Sequence, residues 1–328
     1  MTWILALCVS GFATINLARA DETGASMADA ARRFVAALDD GQKAQATFPF
    51  DSPERTNWHW IPRPRKGLPI KSLHPDQRPL AFGLLQTGLS TRGMIHASTI
   101  MSLEEMLRID EHGTGPVRDS ELYFVSVFGD PSDQGEWGWR VEGHHLALNF
   151  TLKDGKVIGA TPFMFGSNPA EVKKGSWKGL KNLGEISEPA KRLAASLTDD
   201  QRKLALVNPV APEVTTTPNS AQAAVTSPEG IAASKLSPAQ RRDLDLILQA
   251  YAANFPSPIR EQILDQVTRD PEATHLAWFG SFDLSQNHAF RVQGTAFFID
   301  YNNTQNGTNH IHTFYRGLLG DFGQPASR

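Results

Sequence analysis

Four of the ten histidines fall in two short clusters, His144-His145 after Gly143 and His310-Ile311-His312 after Asn309. Residues two apart on an extended strand leave the same face roughly 6.6 Å apart, so His310 and His312 can reach one ion or one substrate group. Neighbours point to opposite faces, so at most one of His144 and His145 joins that set. His144 would share a face with Leu146, Leu148 and Phe150, and His145 with Trp137, Trp139 and Val141; alternation alone does not choose between them. Three imidazoles completed by Glu142 or by water suit zinc, copper or ferrous iron rather than calcium or magnesium. Glu142 could instead accept a proton from bound water, or orient a ligating ring. The competing reading makes His310 and His312 hydrogen-bonding residues on a polar strand face.

Arginines attend both clusters. Arg140 and Arg291 lie on strand patterns, and Arg316 follows His312 on the same face if the strand continues. A guanidinium there could clamp a substrate carboxylate or phosphate; the alternative is an ion pair with Glu142, Asp300 or Asp321. Trp58 and Trp60 flank His59 in a proline-rich stretch, and Trp137 and Trp139 form a second Trp-x-Trp pair. Indoles suit stacking on a sugar, an aromatic ring or a peptide, with core packing as the alternative. With His59, Arg63 and Arg65, the stretch 48–71 reads as a candidate lid over a substrate.

Other chemistries are excluded by what is missing. The only cysteine of the 328 residues is Cys8, so thiolate metal sites, disulfides and a cysteine nucleophile are ruled out of the body of the chain. Thirty-two Lys and Arg against 35 Asp and Glu give a net charge of -3, which provides no basic excess for nucleic acid. There is no Gly-x-Ser-x-Gly elbow, phosphate-cradling glycine loop, dinucleotide fingerprint or His-Glu-x-x-His helix.

These residues need elements to position them. Residues 1–20 read as a signal peptide, with an apolar run from Trp3 to Leu17 and small residues at Ala18 and Ala20 before Asp21. Export to the periplasm or the outside follows, and no later run is apolar enough to span a membrane in the mature chain. Ser26 and Asp29 cap a helical pattern from Met27 to about Ala46, and residues 80–89 and 94–109 form two more helices. Strand patterns cover residues 122–128, 137–152, 157–165, 276–282, 288–301 and 309–315, with Asp154-Gly155 marking a hairpin. Thr198 with Gln201 and Ser237 with Gln240 spell capping boxes, and the stretch Leu73–Arg78 shares their spacing.

A second echo, Trp139-Arg140-Val141-Glu142-Gly143 against Phe290-Arg291-Val292-Gln293-Gly294, raises two related halves. Residues 207–234 are rich in Pro, Ala, Thr and Ser and read as a flexible linker or exposed insertion between 21–206 and 235–328. The expected fold is α+β: an antiparallel sheet with helices packed on it, in one composite domain.

Several segments together resemble a family: Trp58–Pro62, Leu73–Leu85, Leu89–Gly93, Gly138–Leu146 with its Gly-His-His-Leu, Asn303–Asn306, His310–Arg316 with its His-x-His-Thr, and Asp321–Gly323. They are similar to the exported bacterial proteins grouped as the domain-of-unknown-function 3500 family, over most of residues 27–325. That resemblance implies export and one shared architecture and supplies no reaction. The residues themselves point to an exported metal-dependent enzyme, a hydrolase. In it His310, His312 and His144 or His145 hold a zinc, copper or iron ion, Glu142 handles the proton, and Arg140, Arg291 or Arg316 orients the substrate. The alternatives are a binding module for a small acid, sugar or peptide, and a metal carrier.

Overall fold

Glutamine-closed caps decide where several helices begin. The computed structural model describes residues 9–215, 220–223, 227–318 and 320–324. Residues 1–8 of the expected leader, and 216–219 and 224–226 of the expected linker, lie outside the described residues. Helix α1 (Val9–Ala36) runs through Ser26, so no helix starts there. It is separated from α2 (Asp40–Ala46) by Asp39, which accepts from the Gln42 amide while the Gln42 side chain accepts from the Asp39 amide. The single helix expected over 27–46 is therefore two, because this capping box breaks it.

The first half continues with β1 (Thr47–Phe48), β2 (Leu68–Pro69), α3 (Arg78–Gly88), α4 (Thr91–Asp110), β3 (Phe124–Phe128), β4 (Glu136–Gly143), β5 (Leu146–Lys153), β6 (Lys156–Gly159) and β7 (Phe163–Ser167). The second comprises α5 (Gly184–Ser196), α6 (Asp199–Ala205), β8 (Leu206–Asn208), β9 (Ile231–Ala232), α7 (Pro238–Ala252), α8 (Ser257–Thr268), β10 (His275–Gly280), β11 (His288–Gln293), β12 (Phe297–Asn303) and β13 (Ile311–Gly317). Among the described residues thirteen strands form one mostly antiparallel sheet, ordered β1-β3-β4-β5-β7-β13-β12-β11-β10-β8 with β2, β6 and β9 paired beside it.

The second half retraces the first. A short helix leads into an edge strand parallel to the next one in the sheet, β1 on β3 and β8 on β10. A two-residue strand then pairs antiparallel with that same strand, β2 on β3 and β9 on β10. Two helices and a meander follow. The caps repeat as well: the buried amides of Gln42 and Gln77 bond each other, and so do those of Gln201 and Gln240. Register fixes the correspondence, since Arg140 faces Asn149 across β4 and β5 as Arg291 faces Asp300 across β11 and β12. By the same register Phe163 corresponds to Tyr315, and those two residues face each other where β7 meets β13. An approximate twofold axis therefore passes between them.

One face of the sheet buries Trp137, Trp139, Leu148, Phe163, Phe290 and Ile299 in a core shared with the helices. The other face is crossed by residues 49–67 and, among the described residues, by parts of 209–230 that include Val214, Thr215 and Ser220. Arg140 donates to the carbonyls of Glu54 and Asn57 on the first crossing segment, and Arg291 and Arg316 donate to those of Thr215 and Ser220 on the second.

Candidate metal centre

The strand expected over 137–152 is two strands, and the break makes the site. His144 and His145 form the two-residue turn of the β4–β5 hairpin, closed by the Gly143–Leu146 pair. His145 has φ 62°, a left-handed conformation that costs a non-glycine residue roughly 1–2 kcal/mol. Alternation therefore does not govern the pair, and the two rings stack with centroids 3.7 Å apart. The His145 amide donates to Trp60 O at 2.8 Å, and its carbonyl accepts from the Gly166 amide at 2.8 Å. Gly166 pairs in turn with His312 on β13. A Cβ on Gly166 would lie 2.7 Å from the His145 ring, so the missing side chain opens the space through which that ring reaches β13.

Three ring nitrogens converge there. His145 Nε2 is 2.8 Å from His310 Nε2 and 3.2 Å from His312 Nε2, and the ligand atoms of all three lie within 4.8 Å of one another. Tetrahedral nitrogen ligands about 2.0–2.1 Å from an ion stand about 3.3 Å apart, near the two separations from His145 and inside the 4.8 Å that bounds all three. One N–H on His145 can satisfy only one of the two facing nitrogens, whereas a cation would satisfy all three lone pairs. His145 and His312 are 3% and 7% exposed, and His310 is half-buried. Burial, reinforced by neighbouring imidazoles and Arg118, holds the His145 ring well below its usual pKa and lowers His310 to about 4. Burial and the adjacent His310 lower His312 to about 3. The rings are neutral at pH 7, the form a metal requires. The Glu213 backbone bonds the His312 ring, and Asn303 Oδ1 accepts from the His310 amide at 3.1 Å.

His144 belongs to a neighbouring polar group and not to the triad. Its Nδ1 meets Glu104 of α4 and lies 3.0 Å from an Arg118 nitrogen, and Arg118 forms a two-point pair with Glu111. Glu142 is also engaged elsewhere: it accepts from the His59 amide at 2.8 Å and pairs with Arg140 at 3.2 Å, with Arg65 3.9 Å away. Burial pushes its carboxyl up, against the pull of those arginines.

The three arginines take the pairings that were the alternative to substrate binding. Arg140 binds Glu54 and Glu142, Arg291 binds Asp300 at 2.6 Å, and the fully buried Arg316 binds Asp321 at 2.7 Å. Trp58 and Trp60, 0% and 3% exposed, pack on Phe314, Met164 and Ala147, so the proline-rich stretch is a cover sealed to the sheet rather than an open lid. The His59 ring is held at about 4 by burial and by Arg63 and Arg65. Trp137 and Trp139 are core residues, Trp139 stacked on Phe150, so protein occupies the surfaces expected to stack on a ligand.

Sequence reasoning missed Glu104, Glu111 and Arg118, which a helix and its following loop bring in from a distance. Gly166 carried a signal, since an isolated glycine in an aromatic strand marks a close approach.

Fold and site together define an α+β protein with a histidine triad able to hold a metal ion. The chain matches the family described as "Protein of unknown function (DUF3500)" over residues 20–324, and it belongs to that family. Neither curated proteins nor solved structures give a match.

Proposed function

We propose that this protein is an exported, mononuclear metal protein in which His145, His310 and His312 bind a divalent zinc, copper or iron ion, and that it is a hydrolase. The observation that carries the metal reading is internal. A matching hydrogen bond occurs at the other end of the twofold, where Leu318 donates to Ala296 O at 2.8 Å as Gly166 donates to His145 O. There Ala296 stands for His145, and the stretch Lys156–Ala160, which contains no histidine, stands for the segment with His310 and His312. The fold thus forms without imidazoles at this place, and a structural need does not account for them.

Three protein ligands leave a coordination position open, which is the pattern of catalytic rather than structural zinc. An ion so held would supply Lewis acidity and lower the pKa of water. The polar group of Glu104, His144 and Arg118 stands beside His145 and offers hydrogen bonds to a small substrate. Metal storage or delivery is the second reading. It is favoured by the burial of His145 and His312 and by the triad's absence from the walls of both the 930 Å³ groove between α7 and α8 and a 440 Å³ cavity under β12. Export rests on the apolar run 3–17 and the small residues before Asp21.

Elemental analysis of protein purified without a polyhistidine tag tests the metal. One ion per chain, lost in a folded His310→Ala, His312→Ala variant, is expected; a metal-free protein that also fails to take up added zinc, copper or iron overturns it. Turnover of small ester and phosphoester substrates by the loaded protein separates hydrolase from carrier.

A further inference from the structure

The half that carries the left-handed histidine also has pieces that the other half lacks, and they meet beside His310. Helices α4 and α8 occupy matching places after α3 and α7, but α4 has 20 residues and α8 has 12. With their first residues matched, residues 103–110 of α4 extend past anything in α8. After β7 the chain makes a hairpin over 171–181, closed by the Glu171–Lys181 bridge and by Val172 donating to Leu180 O at 3.0 Å. After β13 the described residues instead make a 3₁₀ turn, Asp321–Gly323, whose Phe322 amide donates to Thr161 O at 2.8 Å. The α4 extension and the hairpin enclose a 370 Å³ cavity lined by Met106, Ile109, Pro169, Lys174, Trp177 and Asn309, among others.

We propose that this cavity binds an uncharged apolar ring and is the subsite for that part of a substrate whose polar group meets the triad; the second role rests on the triad holding an ion. Its walls offer accessible apolar surface. Trp177 is 44% and Ile109 57% exposed, whereas the other five tryptophans among the described residues are at most 3% exposed. An accessible indole in a concave wall presents a face on which a ring can stack. The amide of Asn309 is already used, its Oδ1 accepting from the Glu171 amide at 2.8 Å and its Nδ2 donating to Glu171 O at 3.1 Å. Charges in the walls balance, Lys173 and Lys174 against Asp110 and Glu171, and Lys173 pairs with Glu171 at 2.8 Å. The walls therefore favour no net charge. An apolar cavity of about 150 Å³ already accepts benzene, so 370 Å³ has room for a substituted ring. Three elements tie the cavity to the triad. Asn309 in its wall directly precedes His310, the least buried of the three rings, and consecutive Cα atoms stand about 3.8 Å apart. Pro169 lies three residues beyond Gly166 on the chain leaving β7, and Met106 lies two residues beyond Glu104 on α4. A ring seated against Trp177 carries its polar group past Asn309 to reach the ion.

The test is proton NMR of benzyl alcohol mixed with the full chain, first metal-free and then loaded with copper(II), with glycerol as the ringless control. Saturable line broadening by the metal-free chain is expected, weakened at least fivefold in Trp177→Ala and in Ile109→Ser. Both side chains are exposed, and melting transitions report that the variants fold. Copper in the triad should add paramagnetic relaxation to the bound ring, an effect absent in His310→Ala, His312→Ala, which binds the ring but not the ion. The proposal is overturned if benzyl alcohol does not saturate, if glycerol binds as tightly, if both folded variants bind as the parent does, or if bound copper leaves the ring's relaxation unchanged. A chain that takes up no metal overturns the metal reading and the subsite role with it, while the metal-free titration still decides whether the cavity takes a ring.

Discussion

The hairpin turns of the two halves, Gly143-His144-His145-Leu146 and Gly294-Thr295-Ala296-Phe297, occupy matching places on either side of the twofold. Each sends a carbonyl to the strand beyond it. One has a left-handed histidine facing two more across Gly166; the other has Ala296, no left-handed residue, and Leu318 where Gly166 stands. A feature that both halves share is explained by folding, as with the capping glutamines and the arginines that hold the crossing segments. What only one half carries needs another cause, and backbone strain, neutral buried imidazoles and a missing side chain all concentrate in the first turn.

The sharpest way to break this comparison is to make the first turn resemble the second. His145→Ala removes the ring that touches both partners, and loss of a metal ligand is expected to weaken zinc affinity at least about 100-fold, near 2.7 kcal/mol. The metal-free variant should stay within about 1 kcal/mol of the parent, because alanine inherits the strained backbone but leaves no buried polar ring. Isothermal titration with zinc and urea unfolding read the two effects. Unaltered affinity, or a loss of several kcal/mol in the metal-free state, would return the histidines to a structural role.

Much of this arrangement was legible in the sequence. The Trp-Arg-Val-Glu-Gly and Phe-Arg-Val-Gln-Gly echo marks corresponding strands, the boxes at Thr198 and Ser237 start α6 and α7, and Asp154-Gly155 turns β5 into β6. Both hairpin turns escaped because His-His and Thr-Ala are not turn-forming pairs and the apolar pattern runs on past them. Only the glycine preceding each pair hints at the break. Charge pairing was readable as an alternative but not decidable, since Arg291 and Asp300 become neighbours only through the β11–β12 register. The burial of Trp58 and Trp60 was hidden for the same reason, as Phe314 and Met164 come from strands far along the chain.

Acid should distinguish the two halves next. In the folded chain burial holds the rings of His310 and His312 neutral down to about 4 and about 3, whereas unfolded imidazoles take up a proton below about 6.5. Between those limits the unfolded state binds more protons, so stability of the metal-free protein falls as pH drops from about 6.5 towards 4. A loss of at least about 2 kcal/mol across that window is expected from these rings. It should shrink in His310→Ala, His312→Ala, which removes both. Urea unfolding at pH 7.0 and 4.5 measures it, and equal slopes for parent and variant would refute the assignment.

The smallest effect separates the ring from the room it occupies. Gly166→Ala leaves all three ligands in place and puts a Cβ 2.7 Å from the His145 ring. The counterpart position carries Leu318, so the strand pairing itself accepts a side chain, and the cost falls on the imidazole that must move aside. Metal affinity should drop about tenfold, or about 1.4 kcal/mol, with metal-free stability changed by about 1 kcal/mol or less, since relief of the left-handed turn offsets part of the crowding. Zinc titration against a chelator of known affinity resolves a shift of that size. Full affinity in a folded Gly166→Ala protein would mean that the ring reaches β13 by a route that does not pass over Gly166, and the missing side chain there would no longer count among the differences between the two turns.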